Sequence, residues 1–348
     1  MSNWTLRNDL DFVVTSTREV WSHLDGARLF ITGGTGFIGC WLLETLRHAN
    51  TELGVDVRAT VLTRNVRAFA AKAAHLFEYT GFEFIEGNVL DFISPSGDFS
   101  HLIHAATDAS AYLNKHDPRA MFTTVVEGTR RALDLAVEKG IQRMLFLSSG
   151  AVYGQQPWEM QNVSESWRGG PDCLDPGASY AEAKRAAEML CSIYQKQFGL
   201  QIAIARIFAL LGPYLSLDTH FAAGNFIRDA MAGKAVNVNG NGRPCRSYLY
   251  ASDLTVWLWH MLQYAPACRA YNVGSPEPVS VAELARVTST LLGTGEVHIL
   301  GEADAGWNLG RYVPDTTRIR DEFGLQQTVS FDEAIVRTAL WNGWKSER

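Results

Sequence analysis

The chain has 348 residues and a net charge of −6, from 31 Lys and Arg against 37 Asp and Glu. A protein that grips nucleic acid by neutralising phosphates carries the opposite balance, so nucleic acid is not an expected partner. With 47% hydrophobic and 20% charged residues the composition is that of a globular chain with apolar mass for a core, not of a disordered one, and the length suggests roughly two domains.

No run of about eighteen apolar residues occurs, so no membrane-spanning helix is expected. Met1 to Asp11 is polar and lacks a basic flank followed by an apolar stretch, which argues against a secretory signal and for a cytoplasmic protein. The five cysteines are scattered without metal-clip spacing. The histidines give no ligand pattern either; His101 and His104, three apart in a strand, would face opposite sides.

In chain order, residues 1–27 read as a helical extension ending at Asp25-Gly26. Arg28–Thr32 is a short apolar run that stops at a glycine cluster, the signature of a buried strand. Helical spacing follows over Phe37–Arg47, a β-branched run over Val55–Leu62, a helix over Arg67–Phe77 and an alternating strand over Phe82–Glu86. Further strands are predicted over His101–Ala106, Arg143–Leu147 and Ile202–Ile207, with helices over Met121–Lys139 and Tyr180–Phe198 between them. Strand and helix alternating at this pitch predict an α/β fold, a doubly wound parallel sheet with helices on both faces. The rhythm breaks after Gly212-Pro213, where a Gly- and Asn-rich stretch carries one clear helix, Asn225–Ala232. The expected organisation is an extension (1–27), a dinucleotide-binding domain (28–212) and a smaller C-terminal substrate-binding lobe (213–348), with segments near 247–275 returning to the first domain.

Glycines 33, 36 and 39 follow the first strand and open a helix. In that context the first permits a tight turn, the second lets the backbone approach a pyrophosphate, and the third allows the helix to pack closely on the strand. The helix N-terminus then offers N–H groups and partial positive charge to phosphate. An NAD site usually carries Asp or Glu at the end of the second strand, on the ribose hydroxyls. No acid lies between Val57 and Phe77, and Arg64 stands at that strand's end. The cofactor is therefore NAD or NADP, with Arg64 and the missing acid tipping the reading to NADP; stacking of Arg64 on adenine is the alternative.

Tyr180 and Lys184 are four apart on a helix and share a face. A nearby ammonium favours the phenolate, and such a tyrosine can exchange a proton while a hydride moves to or from a nicotinamide. Ser149 ends a predicted strand, where ligands bind in such sheets.

With these residues in place the chain resembles the extended short-chain dehydrogenase/reductases, specifically the NAD-dependent epimerase/dehydratase family that modifies nucleotide sugars. The likeness runs from about Arg28 to about Leu325 and rests on TGGTGFIG (32–39), GNVLD (87–91), HAAT (104–107), SSGAVYG (148–154), YAEAK (180–184), RIFALLGP (206–213), RSYLY (246–250), YNVGS (271–275) and RYVPD (311–315). The resemblance implies a Rossmann-type fold and a catalytic set of Ser149, Tyr180 and Lys184. It implies a cofactor site of Gly33, Gly36, Phe37, Ile38, Gly39, Asn88, Val89, Ala105, Ala106, Thr107 and Ser148, beside Tyr180 and Lys184. It assigns Asn225, Arg246 and Arg311 to the diphosphate of a nucleotide-diphosphate sugar, and implies a homodimer paired through the helices 121–139 and 180–198.

Four positions depart from the family pattern: Val125 and Ala209 stand where an Asn is common, Asn239 where an aromatic residue is, and Ser247 where an Asp is. A fifth departure is chemical. Dehydrating relatives carry an Asp-Glu pair after the catalytic Ser or Thr, and decarboxylating relatives a Glu two residues beyond it; here Gly150 and Ala151 follow Ser149. Glu165 or His220 would have to substitute. The reading is thus a nucleotide-sugar epimerase first and an NADPH-dependent nucleotide-4-keto-6-deoxy-sugar reductase second. A non-catalytic cofactor-binding sensor, which the retained Ser149, Tyr180 and Lys184 argue against, comes third.

Overall fold

The computed structural model describes residues 4–107, 111–218, 221–293, 295–301 and 310–345. Its centre is a sheet of seven parallel strands: β1 (Arg28–Thr32), β2 (Arg58–Thr63), β3 (Phe82–Glu86), β4 (His101–His104), β5 (Arg143–Ser149), β6 (Gln201–Ile207) and β7 (Ala270–Val273). Their order is β7-β6-β5-β4-β1-β2-β3. The chain reverses its direction of travel between β1 and β4, and ligands settle in the crevice at the carboxyl ends of strands at such a point. Leu29, Phe30 and Ile31 of β1 and Leu145 and Phe146 of β5 are fully buried, as strands covered on both faces by helices require.

The helices that flank the sheet obey local signals. Phe37–Leu53 ends at Gly54 in the left-handed conformation (φ 70°). Pro118–Glu138 starts with Pro at its first turn and Asp117 accepting the Ala120 N–H at 2.9 Å. It packs along Ser179–Phe198, whose inner face is Ala183, Lys184, Ala187 and Cys191.

Several boundaries differ from the sequence reading. Val57 is not in the ladder of β2, because the Asn50 side chain satisfies both its N–H (3.0 Å) and its carbonyl (2.7 Å). The helix predicted over Arg67–Phe77 is two, Val66–Lys72 and Ala74–Phe77, broken at Ala73 (φ −147°, ψ 65°). Past the break His75 reaches the buried Glu44 carboxylate at 2.6 Å. The helix predicted from Asn225 starts at Ala222, with no capping side chain to mark it.

Residues 4–27 form two helices, Leu6–Ser16 and Arg18–Leu24, that bury Leu10, Val13, Val14, Val20, Trp21 and Leu24. Trp21 packs on Trp259 of the helix Ala251–Tyr264 with ring centroids 4.6 Å apart. Beyond β6 the helices Ala222–Met231, Val281–Leu292 and Phe331–Trp341 gather a second core around Phe226, Ile227, Leu284 and Ile335. Leu10, Trp41 and Tyr250 belong to that same core, which joins it to the sheet domain. Among the described residues no helix is long and apolar enough to cross a membrane.

Candidate functional site

A cleft of about 1190 Å³ runs over the carboxyl ends of the strands between the sheet and the second core. Its first wall is the glycine loop. Gly33 has φ 72°, and a Cβ there would stand 2.6 Å from the Ala105 and Ala106 backbone. A Cβ on Gly39 would meet Gly34 at 2.4 Å. Both positions therefore demand glycine, one for conformation and contact, the other for contact alone. Gly36 caps the helix without a side chain, and Phe37, Ile38 and Gly39 of its first turn line the cleft. Free N–H groups at a helix start, on backbone stripped of Cβ atoms, fit a dinucleotide pyrophosphate.

Four linked hydrogen bonds hold the wall beside it. Thr129 donates to Val125 O (2.7 Å), His104 Nε2 lies 3.1 Å from Thr129 Oγ1, Thr32 Oγ1 lies 2.7 Å from His104 Nδ1, and Ala106 N–H donates to Thr32 Oγ1 (3.2 Å). With Thr129's proton spent on Val125, the chain closes only when His104 carries a proton on Nε2. Burial, pushing His104 down to about 3, keeps the ring neutral, so Nδ1 accepts from Thr32. His104 thus fixes the turn of Ala105, Ala106 and Thr107, all of which line the cleft. Val125, where relatives carry Asn, is buried in this frame, and Thr124 lines the cleft instead; Thr124 carried no signal in the sequence.

Arg64 is exposed and lines the cleft just past β2, where Thr35 and Thr63 hydroxyls meet at 3.1 Å. Lys72 holds the Thr35 carbonyl at 3.0 Å. Asn88 and Val89 line the next stretch, the Asn88 side chain accepting the Leu90 N–H at 3.1 Å.

Ser149, Tyr180 and Lys184 converge at the middle of the cleft. The helix that carries the last two is capped from outside: Asn114 Oδ1 accepts from Ser179 Oγ (2.8 Å) and Tyr180 N–H (3.0 Å). Asn114, on a separate short helix, is invisible to a local motif search. Ser149 Oγ accepts the Ala151 N–H (3.1 Å) and shares a hydrogen bond with Tyr180. Lys184 is buried and donates to Thr107 Oγ1 and Leu147 O, each at 2.7 Å. Burial pulls its pKa down to about 7, against the attraction of Glu188 one turn further along the helix. The sequence reading has Lys184 lowering Tyr180. In this arrangement burial dominates and raises Tyr180, the Ser149 hydrogen bond opposing it, because the ammonium is turned to Thr107 and Leu147.

Ser148 lines the cleft, but its hydroxyl is spent on Glu188 (2.6 Å). Glu188 forms a two-point pair with Arg206 (3.0 and 2.6 Å), which donates to Tyr153 Oη (2.9 Å). Tyr153 in turn donates to Asn272 (2.7 Å). This chain braces β5, β6 and β7 beneath Ser149, Tyr180 and Lys184.

On the substrate side Arg246 lines the cleft with Phe208, Ala209, Phe221, Tyr248 and Tyr312. Asn225 and Arg311 are not among the lining residues: Asn225 Oδ1 accepts from Arg228 (3.1 Å), and Arg311 bonds the Gln161 carbonyl. Glu165, weighed as a replacement acid, is taken up by the Asn272 N–H (2.9 Å) and Arg318 (3.7 Å). His220 lies outside the described residues. Tyr312, part of the RYVPD segment, faces Ser149 at 3.4 Å and had no role in the sequence reading.

A glycine cradle at the switch point of a doubly wound sheet, with Ser, Tyr and Lys at the same strand ends, defines a nicotinamide-dependent enzyme of the short-chain dehydrogenase/reductase type. Residues 29–274 match the model of the NAD dependent epimerase/dehydratase family, and the chain belongs to that family. It is 31% identical over 319 residues to UDP-glucuronic acid decarboxylase 1 of Xenopus tropicalis, covering 91% of this chain and 72% of that protein. It is 29% identical over 310 residues to UDP-glucuronic acid decarboxylase 6 of Arabidopsis thaliana, covering 88% and 86%. In fold it is similar to the UDP-glucuronic acid 4-epimerase of Bacillus cereus, solved with UDP-glucuronic acid and NAD (TM-score 0.77, 19% identity, 90% of this chain and 98% of that one). It is also similar to the Thermus thermophilus UDP-glucose 4-epimerase solved with NAD (TM-score 0.74, 24% identity, 91% and 99%).

Proposed function

We propose that the protein is a nucleotide-sugar epimerase that works by transient oxidation of one sugar carbinol. The observation that carries this reading is the cleft around Ser149: Tyr180 and Lys184 are beside it, while Gly150 and Ala151 supply no carboxylate. A bound nicotinamide dinucleotide would accept a hydride from the carbinol carbon and give it back. Tyr180, in its phenolate form, takes the hydroxyl proton as the carbonyl forms and returns it at the end. Ser149 holds the same oxygen by a hydrogen bond. Lys184, anchored to Thr107 and the Leu147 carbonyl, orients the cofactor ribose. Arg246, whose Nη1 is held by the Cys245 and Gly310 carbonyls, offers its remaining N–H groups to the diphosphate of the substrate.

The decarboxylase relatives raise a different reaction. Removing carbon dioxide or eliminating water asks for an acid-base group beyond Tyr180, and positioned groups of that kind are worth about 10²–10⁴ in rate each. Ala151 stands where that Glu is expected and lines the cleft, and Glu165 is engaged elsewhere. We therefore favour epimerisation. Reduction of a nucleotide-4-keto-6-deoxy sugar is the second reading, favoured by Arg64 in the cleft at the end of β2, which suits the 2′-phosphate of NADP(H).

The test is to incubate the purified protein with a panel of nucleotide hexoses and hexuronic acids, with and without added cofactor, and follow products by NMR. An epimer formed without added cofactor supports the first reading. A product formed only with stoichiometric NADPH moves the assignment to the reductase. Carbon dioxide or a 4-keto-6-deoxy product overturns both.

A further inference from the structure

Tyr180 is the second residue of the helix Ser179–Phe198, in the turn whose N–H groups have no partner within the helix. Ala178, at the cap position, has no side-chain acceptor to offer them. The acceptor is Asn114, 66 positions before Tyr180, on the short helix Ala111–His116. Its Oδ1 takes the Tyr180 N–H (3.0 Å) and the Ser179 hydroxyl (2.8 Å), and its Nδ2 donates to the Gly177 carbonyl (2.7 Å). A backbone N–H only donates and a carbonyl only accepts, so one orientation of the amide satisfies all three bonds and its flip satisfies none of the backbone ones. Asn114 is tied in turn to the long helix Pro118–Glu138: Asp117, which caps that helix, donates its N–H to the Leu113 carbonyl (2.8 Å).

Lys184 does not depend on this cap. It lies one turn further into the helix, and its ammonium has anchors of its own in Thr107 and the Leu147 carbonyl. Tyr180 is placed differently. It sits in the first turn, the part of a helix that frays first, and the hydrogen bond of its phenol is to Ser149, a group that faces the substrate. The position of the phenol therefore follows the first turn, and the first turn follows Asn114. Asn114 does not itself line the cleft, although its neighbour Leu113 does.

We propose that Asn114 is the positioning residue of Tyr180: by capping the helix from a neighbouring element it holds the phenol at the distance that proton transfer needs, without touching substrate or cofactor. This rests on the nucleotide-sugar reading above, in which Tyr180 carries the proton, and adds a residue outside the Tyr180–Lys184 motif that sets the rate. A misplacement of about 1 Å at a reacting group costs about 10² in rate. Asn114→Leu keeps the volume of the side chain and removes the acceptor. Asn114→Asp keeps the acceptor and removes the donor to Gly177.

The test sets rate against binding. On the nucleotide sugar that the product panel identifies, Asn114→Leu is expected to lower kcat by about ten- to a hundredfold. KM should stay unchanged, and so should the calorimetric affinity for NAD or NADP, whichever the wild type binds, because Lys184 keeps its own anchors. Asn114→Asp is expected to recover most of the rate, since Asp caps a helix about as well as Asn. In a Tyr180→Phe background Asn114→Leu should cost little further rate, as expected of two residues that act as one unit. An unchanged kcat in Asn114→Leu overturns the proposal. A matching loss of dinucleotide affinity overturns it too, and makes Asn114 a general support of the fold. An aspartate variant as slow as the leucine one, or an undiminished loss in the Tyr180→Phe background, has the same force. Asn114→Ala replaces Asn114→Leu in each comparison should the leucine variant not fold. Failure of the wild type to turn over any nucleotide sugar would instead bring down the nucleotide-sugar reading, and the proposal with it.

Discussion

Asp9 and Tyr250, 241 positions apart in the chain, share a 2.6 Å hydrogen bond in which the phenol donates to the carboxylate. Arg337 pairs with the same carboxylate from the helix Phe331–Trp341. Asp9 is buried, and burial raises its pKa while Tyr250 and Arg337 pull it back. One acid of the N-terminal helices thus ties together the last helix of the chain and the strand leading into Ala251–Tyr264.

Removing that acid is expected to cost stability without touching the cleft. Asp9→Ala leaves Arg337 with its surface partner Glu333 and the Tyr250 ring, and breaking a buried pair from one side costs about 3 kcal/mol. Urea unfolding should show a lower midpoint with an unchanged slope. Asp9→Ala combined with Arg337→Met should cost less than the sum of the two singles, and strict additivity would show that the pair is not coupled.

Tyr180→Phe tests the proton carrier. Asn114 holds the start of its helix through Ser179 Oγ and the Tyr180 N–H, not through the phenol, so the fold should be retained. Turnover on the true substrate is expected to fall by about 10²–10⁴. Turnover near that of the wild type would reject the mechanism.

Lys184 predicts a pH dependence of stability. Its folded pKa is held near 7 by burial, below the unfolded value of about 10.4. Between these values the unfolded chain binds a proton that the folded one has released, so stability rises with pH across that window and is lowest below pH 7. Unfolding at pH 7.0 and 8.5 should show the wild type gaining stability. Lys184→Met, which has no proton to lose, should lack that part of the gain. Identical pH slopes for the two proteins would mean that Lys184 keeps its proton through the window.

Arg64→Ala separates the two cofactors. If the guanidinium grips a 2′-phosphate, affinity for NADP should drop by about one to two decades, the worth of a charge-assisted hydrogen bond, while that for NAD changes little. Equal losses by calorimetry would leave Arg64 as an adenine contact.

Much of the sheet domain was legible along the chain because its signals are local. β1 and β3 occur at the residues predicted, and the helices after β4 and β5 match to within a few residues, since hydrophobic period and capping chemistry act over one or two turns. The glycine loop was legible for the same reason: Gly33 is demanded by its own φ of 72° and Gly39 by contact with Gly34, five residues back. Ser149, Tyr180 and Lys184 could be named from strand end and helix spacing, and the cleft contains all three.

What the tertiary structure decided depends on groups distant in sequence. Asn114 as the cap of the catalytic helix, Glu188 with Arg206 beneath Ser148, and Tyr312 opposite Ser149 are pairings across 65, 18 and 163 positions. The orientation of Lys184 toward Thr107, and the burial that raises Tyr180, also depend on what packs around them. A motif fixes which chemical groups are available; hydrogen-bond direction and desolvation are set by neighbours that only the packed fold brings within 3 Å or so. The sequence by itself therefore determined the α/β sheet, the glycine cradle and which side chains meet in the cleft, and the fold decided how those groups are held, charged and faced.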